Sequence, residues 1–179
     1  METVGVKLEV LMPFLLYSIG VKDVRKISEG SCFEDGTVCC RADIKGSFNF
    51  YSENIMWLYE SGISVEIVRN RTGVFVWFKF TKTSSWNKSK QKIEIPKEVF
   101  SRIMLRFLEK VFYCEHKELN VSAEDADKEF KVKYEIDESF FEHFGVGRGF
   151  SKFLCDNDVI IYTKKEKEKW FYVMSKIVE

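Results

Sequence analysis

This chain of 179 residues has few of the histidines and cysteines that form structural zinc sites. It holds two histidines, and its five cysteines include no pair at Cys-x-x-Cys spacing. Structural zinc sites need several such ligands at short, regular spacings, so we predict no metal and no cofactor. The odd number of cysteines also disfavours a disulfide framework and is typical of reduced thiols inside the cell.

The chain also lacks net charge and long apolar runs. Its 28 basic residues equal its 28 acidic residues, whereas a protein that coats DNA with its whole surface is usually basic. The longest apolar run, residues 10–17, is too short to span a bilayer and contains Pro13. Charged residues near the N-terminus disfavour a secretory signal. We therefore predict an intracellular protein, cytoplasmic or nuclear, with no membrane partner.

Apolar patterns and the positions of glycine and proline predict the order of elements. Apolar residues make up 45% of the chain, which is enough for a substantial core. Strands are predicted at 4–11, 31–34, 37–44, 47–51, 64–70, 74–82, 92–95, 130–136, 159–163 and 170–177, with a basic loop at 83–91. Helices are predicted from Pro13 to residue 19, at 53–61, at about 97–117 and at 139–144.

Three of the connections between strands are predicted to be hairpins. Their turns fall at Asp35-Gly36, at residues 71–73 and within the charged segment 164–169. The predicted fold class is α+β, with a mainly antiparallel sheet. One long amphipathic helix, at about 97–117, is expected to pack across this sheet, together with two or three short helices. We predict a single domain over residues 1–179, with two subdomains (1–119 and 128–179, joined by a polar linker at 120–127) as the alternative.

The strand at 74–82 carries the most unusual pattern in the chain. Its even-numbered residues are apolar, while Phe75, Trp77 and Lys79 share the other face. Residues 67–93 around it hold seven basic side chains and no acid. Unpaired bases can stack on such rings while cations contact phosphates, provided that the face is exposed to water. The predicted nucleic-acid contacts are Arg69, Arg71, Phe75, Trp77, Lys79, Lys82, Trp86, Lys88 and Lys90. The competing interpretation buries both faces between two layers.

Two partial resemblances point the same way. Arg71, Phe75, Val76 and Phe78 match the basic, aromatic, valine and last aromatic positions of an RNP1-type strand, whereas its glycine and first aromatic are absent. The order of hairpin, basic loop, short strand, Ile-Pro and long helix over residues 64–117 is similar to the sheet-plus-helix modules of Whirly-type single-strand-binding proteins. The latter resemblance is one of pattern and covers about a third of the chain.

A second candidate site is the glycine-rich loop that contains Gly147, Arg148 and Gly149. Its amides and guanidinium suit an anion, although it lacks the spacing of a nucleotide-binding loop, and a helix cap followed by a turn is the competing interpretation. His143 beside Glu142 is the one cluster in which to look for catalysis. No nucleophile elbow or phosphate-binding loop is present, so the sequence leans away from an enzyme.

Two functions follow from these patterns. The first is non-enzymatic binding of single-stranded DNA or RNA on the basic, aromatic strand face. The alternative is a subunit for protein interaction or assembly, including a homo-oligomer, in which the same aromatic residues face a partner and no catalysis takes place.

Overall fold

The computed structural model describes residues 2–21, 24–28, 31–32, 37–45, 49–81, 85–89, 92–112, 121–126, 129–136 and 154–177. The chain forms two compact units, residues 1–103 and 104–179. The prediction of a single domain stays a prediction, because two compact units can still unfold in one cooperative step.

The first unit is built on two antiparallel sheets. Its elements are β1 (Thr3–Lys7), α1 (Leu8–Ser18), β2 (Val24–Ile27), β3 (Ser31–Cys32), β4 (Val38–Ile44), α2 (Ser52–Glu60), β5 (Ile63–Asn70), β6 (Gly73–Phe80), β7 (Ser85–Asn87) and β8 (Lys92–Pro96). The larger sheet has the order β2-β4-β6-β5, with β3 also paired to β4. The predicted β3–β4 and β5–β6 hairpin pairings are confirmed, while residues 33–36 of the first turn lie outside the described residues.

The predicted strand at 4–11 is wrong in its second half. β1 ends at Lys7, and α1 begins at Leu8 and contains Pro13 in its interior. Every residue of α1 except Glu9 is buried, so the apolar residues lie on nearly all sides of the helix. A helix of this kind imitates the alternation of a strand over a few residues.

The end of α1 is confirmed at Gly20, which has a φ of 101°. The Gly20 N–H donates to the carbonyl of Tyr17, and the Val21 N–H donates to that of Leu16. These two bonds form a Schellman motif, which satisfies carbonyls that would otherwise lack partners at the helix end. The strand predicted at 47–51 is wrong over residues 49–51, where Tyr51 instead donates to the carbonyl of Ile19.

The smaller sheet of this unit has the order β1-β8-β7. The basic loop predicted at 83–91 is wrong at its centre, where Ser85–Asn87 form β7. Trp86 pairs with Ile93 of β8, and this cross-strand contact stabilises a strand too short to show an alternating pattern. β8 therefore belongs to a different sheet from β6.

The second unit contains a four-stranded antiparallel sheet of order β11-β12-β10-β9. Its strands are β9 (Val121–Ala126), β10 (Glu129–Ile136), β11 (Val159–Glu166) and β12 (Lys169–Ile177). The linker predicted at 120–127 is wrong over residues 121–126, because β9 pairs with β10 through its backbone despite its polar side chains. The last hairpin is confirmed, and its turn consists of Lys167 and Glu168 alone.

Helix α3 (Lys97–Phe112) carries the predicted apolar stripe. Its buried side chains are Phe100, Ile103, Met104, Phe107 and Leu108. The predicted extension to residue 117 and the helix at 139–144 lie outside the described residues. The α+β fold with mainly antiparallel sheets is confirmed.

Candidate nucleic-acid interface

The β5–β6 hairpin is fixed by a turn whose hydrogen bonds come from its own residues. The Asn70 Oδ1 accepts from the backbone N–H of Thr72 at 2.9 Å and from that of Gly73 at 3.1 Å. Asparagine favours such a turn because its short side chain satisfies the backbone locally. The turn sets the register in which Glu66 faces Trp77 and Val68 faces Phe75.

The two faces of β6 differ in exposure. Val76, Phe78 and Phe80 are fully buried. On the opposite face Phe75 and Trp77 are half-buried, and Lys79 is exposed. We call this second face, together with its neighbours on β2, β4 and β5, the aromatic face. Its rings are about 6–7 Å apart along the strand, which is the spacing of alternate strand residues.

Cross-strand partners add charged residues to the aromatic face, because paired residues point to the same side of a sheet. Arg41 of β4 pairs with Trp77, and Asp43 pairs with Phe75. Lys26 of β2 is exposed and pairs in turn with Asp43. At one end of the face, exposure is limited to Lys79, because Cys39, which pairs with it, is 2% exposed. The accessible part of the face therefore surrounds Arg41 and the two rings.

Arg41 lies over both aromatic rings. Its guanidinium carbon is 4.9 Å from the ring centroid of Phe75 and 5.7 Å from that of Trp77. Both distances are within the range of cation–π attraction. Its Nε lies 3.2 Å from Asp43 Oδ1, and the Arg41 side chain remains 37% exposed. The rings and the carboxylate together hold the guanidinium in one place.

The aromatic face carries acids as well as bases. Lys79 Nζ lies 3.5 Å from Glu66 Oε2, and both side chains are largely exposed. An exposed pair of this kind contributes at most about 1 kcal/mol, so an anion can compete for the ammonium. Three cations (Lys26, Arg41 and Lys79) and two carboxylates (Asp43 and Glu66) thus share the face. Residues 67–93 contain no acid, but the aromatic face does, because neighbouring strands contribute Asp43 and Glu66.

The other predicted contacts fall in different places. Arg69 is exposed and pairs with Val74, which places it on the side opposite Trp77, and Arg71 is exposed in the turn. Trp86 is half-buried on β7 beside Ile93, and exposed Lys88 follows that strand. The hypothesis that Trp86 and Arg69 share a surface with Trp77 is thus not supported by the pairing of the strands. The remaining predicted residues lie outside the described residues: Lys82, Lys90, Gly147, Arg148 and Gly149, together with His143.

Sequence reasoning missed Arg41 and Lys26. Neither lies in the basic window, and both join the aromatic face only through the β2–β4–β6 pairing. A signal was present in β4, where Arg41 and Asp43 alternate with the buried Cys40, Ala42 and Ile44. An alternating strand beside a predicted hairpin indicates which of its residues are exposed, although not which residue each one faces.

The second unit has cation–aromatic contacts of the same kind. Lys133 Nζ lies 4.4 Å from the Phe171 ring centroid, and Lys165 Nζ lies 5.8 Å from that of Trp170. Hydrogen bonds from Lys133 and Lys164 lower the pKa of Glu166 to about 2. The carboxylate therefore stays ionised and neutralises its neighbours. Substitutions at Trp170 and Lys165 can therefore serve as controls for substitutions at Trp77 and Arg41.

The described part of the chain gives little support for a metal site or a reactive cysteine. Those residues include no group of three or more His, Cys, Asp or Glu that could hold a metal ion. Burial raises the pKa of the Cys40 thiol to about 11, which disfavours the nucleophilic thiolate. Within the same residues, no helix is long and apolar enough to cross a membrane.

Comparison with known proteins gives no family for this chain. No protein-family model, curated protein or solved structure matches it. Function must therefore be inferred from the aromatic face itself.

Proposed function

We propose that this protein binds single-stranded nucleic acid, DNA or RNA, on the aromatic face and without catalysis. The observation that carries the proposal is the stack of Arg41 on Phe75 and Trp77 beside the exposed Lys79. Aromatic rings and guanidinium planes are the groups on which unpaired bases stack, and adjacent cations neutralise the phosphates.

Partial exposure of the rings favours this function over a purely structural role. Phe75 and Trp77 are half-buried, whereas Val76, Phe78 and Phe80 on the other face of β6 are completely buried. A strand enclosed between two layers would bury the side chains on both of its faces. The rings also lie on a sheet, which holds them at a fixed separation and reduces the conformational entropy lost when a ligand binds.

The experiment that tests the proposal compares two tryptophans. The affinity of the full chain for a fluorescein-labelled oligothymidylate or oligouridylate is measured by fluorescence anisotropy at low salt. Trp77→Leu is expected to weaken binding about 10-fold, since stacking contributes about 1–3 kcal/mol per base. Trp170→Leu, which also removes a half-buried tryptophan next to a lysine, should bind as wild type does. Absence of wild-type binding, or equal losses in both variants, would contradict the proposal.

A second candidate is a protein partner on the same face. The observation in its favour is the presence of Glu66 and Asp43 among the cations, because mixed charge around aromatic residues is typical of protein interfaces. In this case wild type would sediment as an oligomer, Trp77→Leu would sediment as a monomer, and neither would bind the oligonucleotide.

A further inference from the structure

Arg41 is the most firmly ordered cation on the aromatic face. Two rings and the Asp43 carboxylate contact its guanidinium. Among the described residues, Lys79 is held by an exposed ion pair with Glu66. Ordering a mobile lysine side chain on ligand binding costs up to about 2 kcal/mol of conformational entropy. Arg41 loses less entropy when a ligand binds, because its contacts already order it in the folded protein.

The contacts of Arg41 with the described residues leave its Nε without a hydrogen bond. Nε and the Asp43 Oδ1 are inaccessible to water and lie 3.2 Å apart, but they do not meet with hydrogen-bond geometry. Among the described residues, Asp43 is the one ion-pair partner of Arg41, and the 3.2 Å contact between them involves Nε, not the two terminal nitrogens. Those terminal N–H groups form the fork that binds two phosphate oxygens at once.

We infer that Arg41 contacts a phosphate of the bound strand, next to the base that stacks on Trp77. This inference rests on the proposed function and assigns the main phosphate contact to a residue outside the basic sequence window. Arg41 stands directly across from Trp77 in the register of β4 and β6. One nucleotide therefore contacts both residues, with its base on the ring and its phosphate at the guanidinium.

The charges on the face limit the ligand to a short segment. Asp43 and Glu66 flank the cations, and Cys39 next to Lys79 is buried. The accessible area spans about three strands, or about 10 Å across. We therefore expect contact with one or two phosphates, and an affinity that stops rising once the oligonucleotide reaches a few nucleotides.

The test is the salt dependence of oligonucleotide binding by the full chain. For single strands, the slope of log affinity against log salt concentration is about −0.7 for each phosphate contact. Arg41→Gln should lower affinity about 10-fold and make the slope less steep by about 0.7. Arg41→Lys should keep the slope, because it keeps the positive charge. Its affinity should fall several-fold, because lysine lacks the planar guanidinium that stacks on the rings. Lys165→Gln, which removes a cation above Trp170, serves as the control and should change neither quantity.

Each other outcome overturns a specific statement. If Arg41→Gln weakens binding without changing the slope, Arg41 supports the rings and contacts no phosphate. Suppose that wild type binds the oligonucleotide, that Trp77→Leu weakens this binding, and that Arg41→Gln changes neither affinity nor slope. The inference about Arg41 then fails, while the proposed function stands. If wild type does not bind the oligonucleotide, the proposed function itself fails.

Discussion

At the scale of single residues, two glycines with positive φ differ in what surrounds them. Gly20 has a φ of 101°, and a Cβ built on it would lie 2.0 Å from the backbone oxygen of Asn49. Gly73 has a φ of 149°, and a Cβ there would meet no atom within 4 Å. Comparing them separates backbone strain from crowding.

We expect Gly20→Ala to destabilise the protein more than Gly73→Ala does. At Gly73 the cost is backbone strain alone, about 1–3 kcal/mol. At Gly20 a collision with a backbone oxygen is added, and overpacking of this kind typically costs about a further 1–3 kcal/mol. Urea unfolding measures both free energies. Equal losses would mean that the backbone at Asn49 moves aside without cost.

At the scale of elements, the β11–β12 hairpin turns through two residues poorly suited to their conformation. Lys167 has a φ of 46° and Glu168 a φ of 66°. Two-residue hairpin turns with both φ values positive favour Asn-Gly, because most L-residues are strained in the left-handed region. Glu168 also forms an ion pair with Lys165 at 3.7 Å, but it is too exposed to offset much of that strain.

Replacing Lys167-Glu168 with Asn-Gly should therefore stabilise the protein. We expect a gain of about 1 kcal/mol, since left-handed residues cost about 1–2 kcal/mol each and glycine relieves that strain. The measurement is the urea midpoint, which should rise with an unchanged m-value. An unchanged or lower midpoint would show that the strain is offset by contacts of the native side chains.

The sequence predicted some elements better than others for physical reasons. β6 was predictable because one face is buried and the other is not, which produces strict alternation. The start of α1 was predicted wrongly because the helix is buried on nearly all sides. Its apolar residues therefore follow neither the period of an amphipathic helix nor that of a half-buried strand. β9 was missed because backbone pairing holds it, and its polar side chains resemble those of a linker.

The candidate site was predictable along one strand and not across strands. Alternation alone placed Phe75, Trp77 and Lys79 on one face. Arg41 is far away in sequence, and only the register of β4 against β6 brings it to Trp77. Register depends on turn geometry and packing, which a charge count over consecutive residues does not include.

At the scale of the whole molecule, equal numbers of acidic and basic residues restrict where nucleic acid can bind. With 28 of each, the chain produces no overall field that attracts a polyanion. Under the proposed function, binding therefore depends on local contacts at the aromatic face. We therefore expect modest salt dependence and a short binding site, rather than coating of a long strand.

The central claim is that Trp77 stacks directly on a base, and fluorescence tests it most directly. The chain has four tryptophans, and replacing Trp57, Trp86 and Trp170 with phenylalanine leaves Trp77 as the sole tryptophan, whose emission can be excited selectively over that of tyrosine. Unlabelled single-stranded oligonucleotide should quench this emission in a saturable way, with the dissociation constant found by anisotropy. A matched protein that retains only Trp170 should show no quenching. If the oligonucleotide binds and the emission of Trp77 does not change, the base does not stack on this ring and the account is wrong.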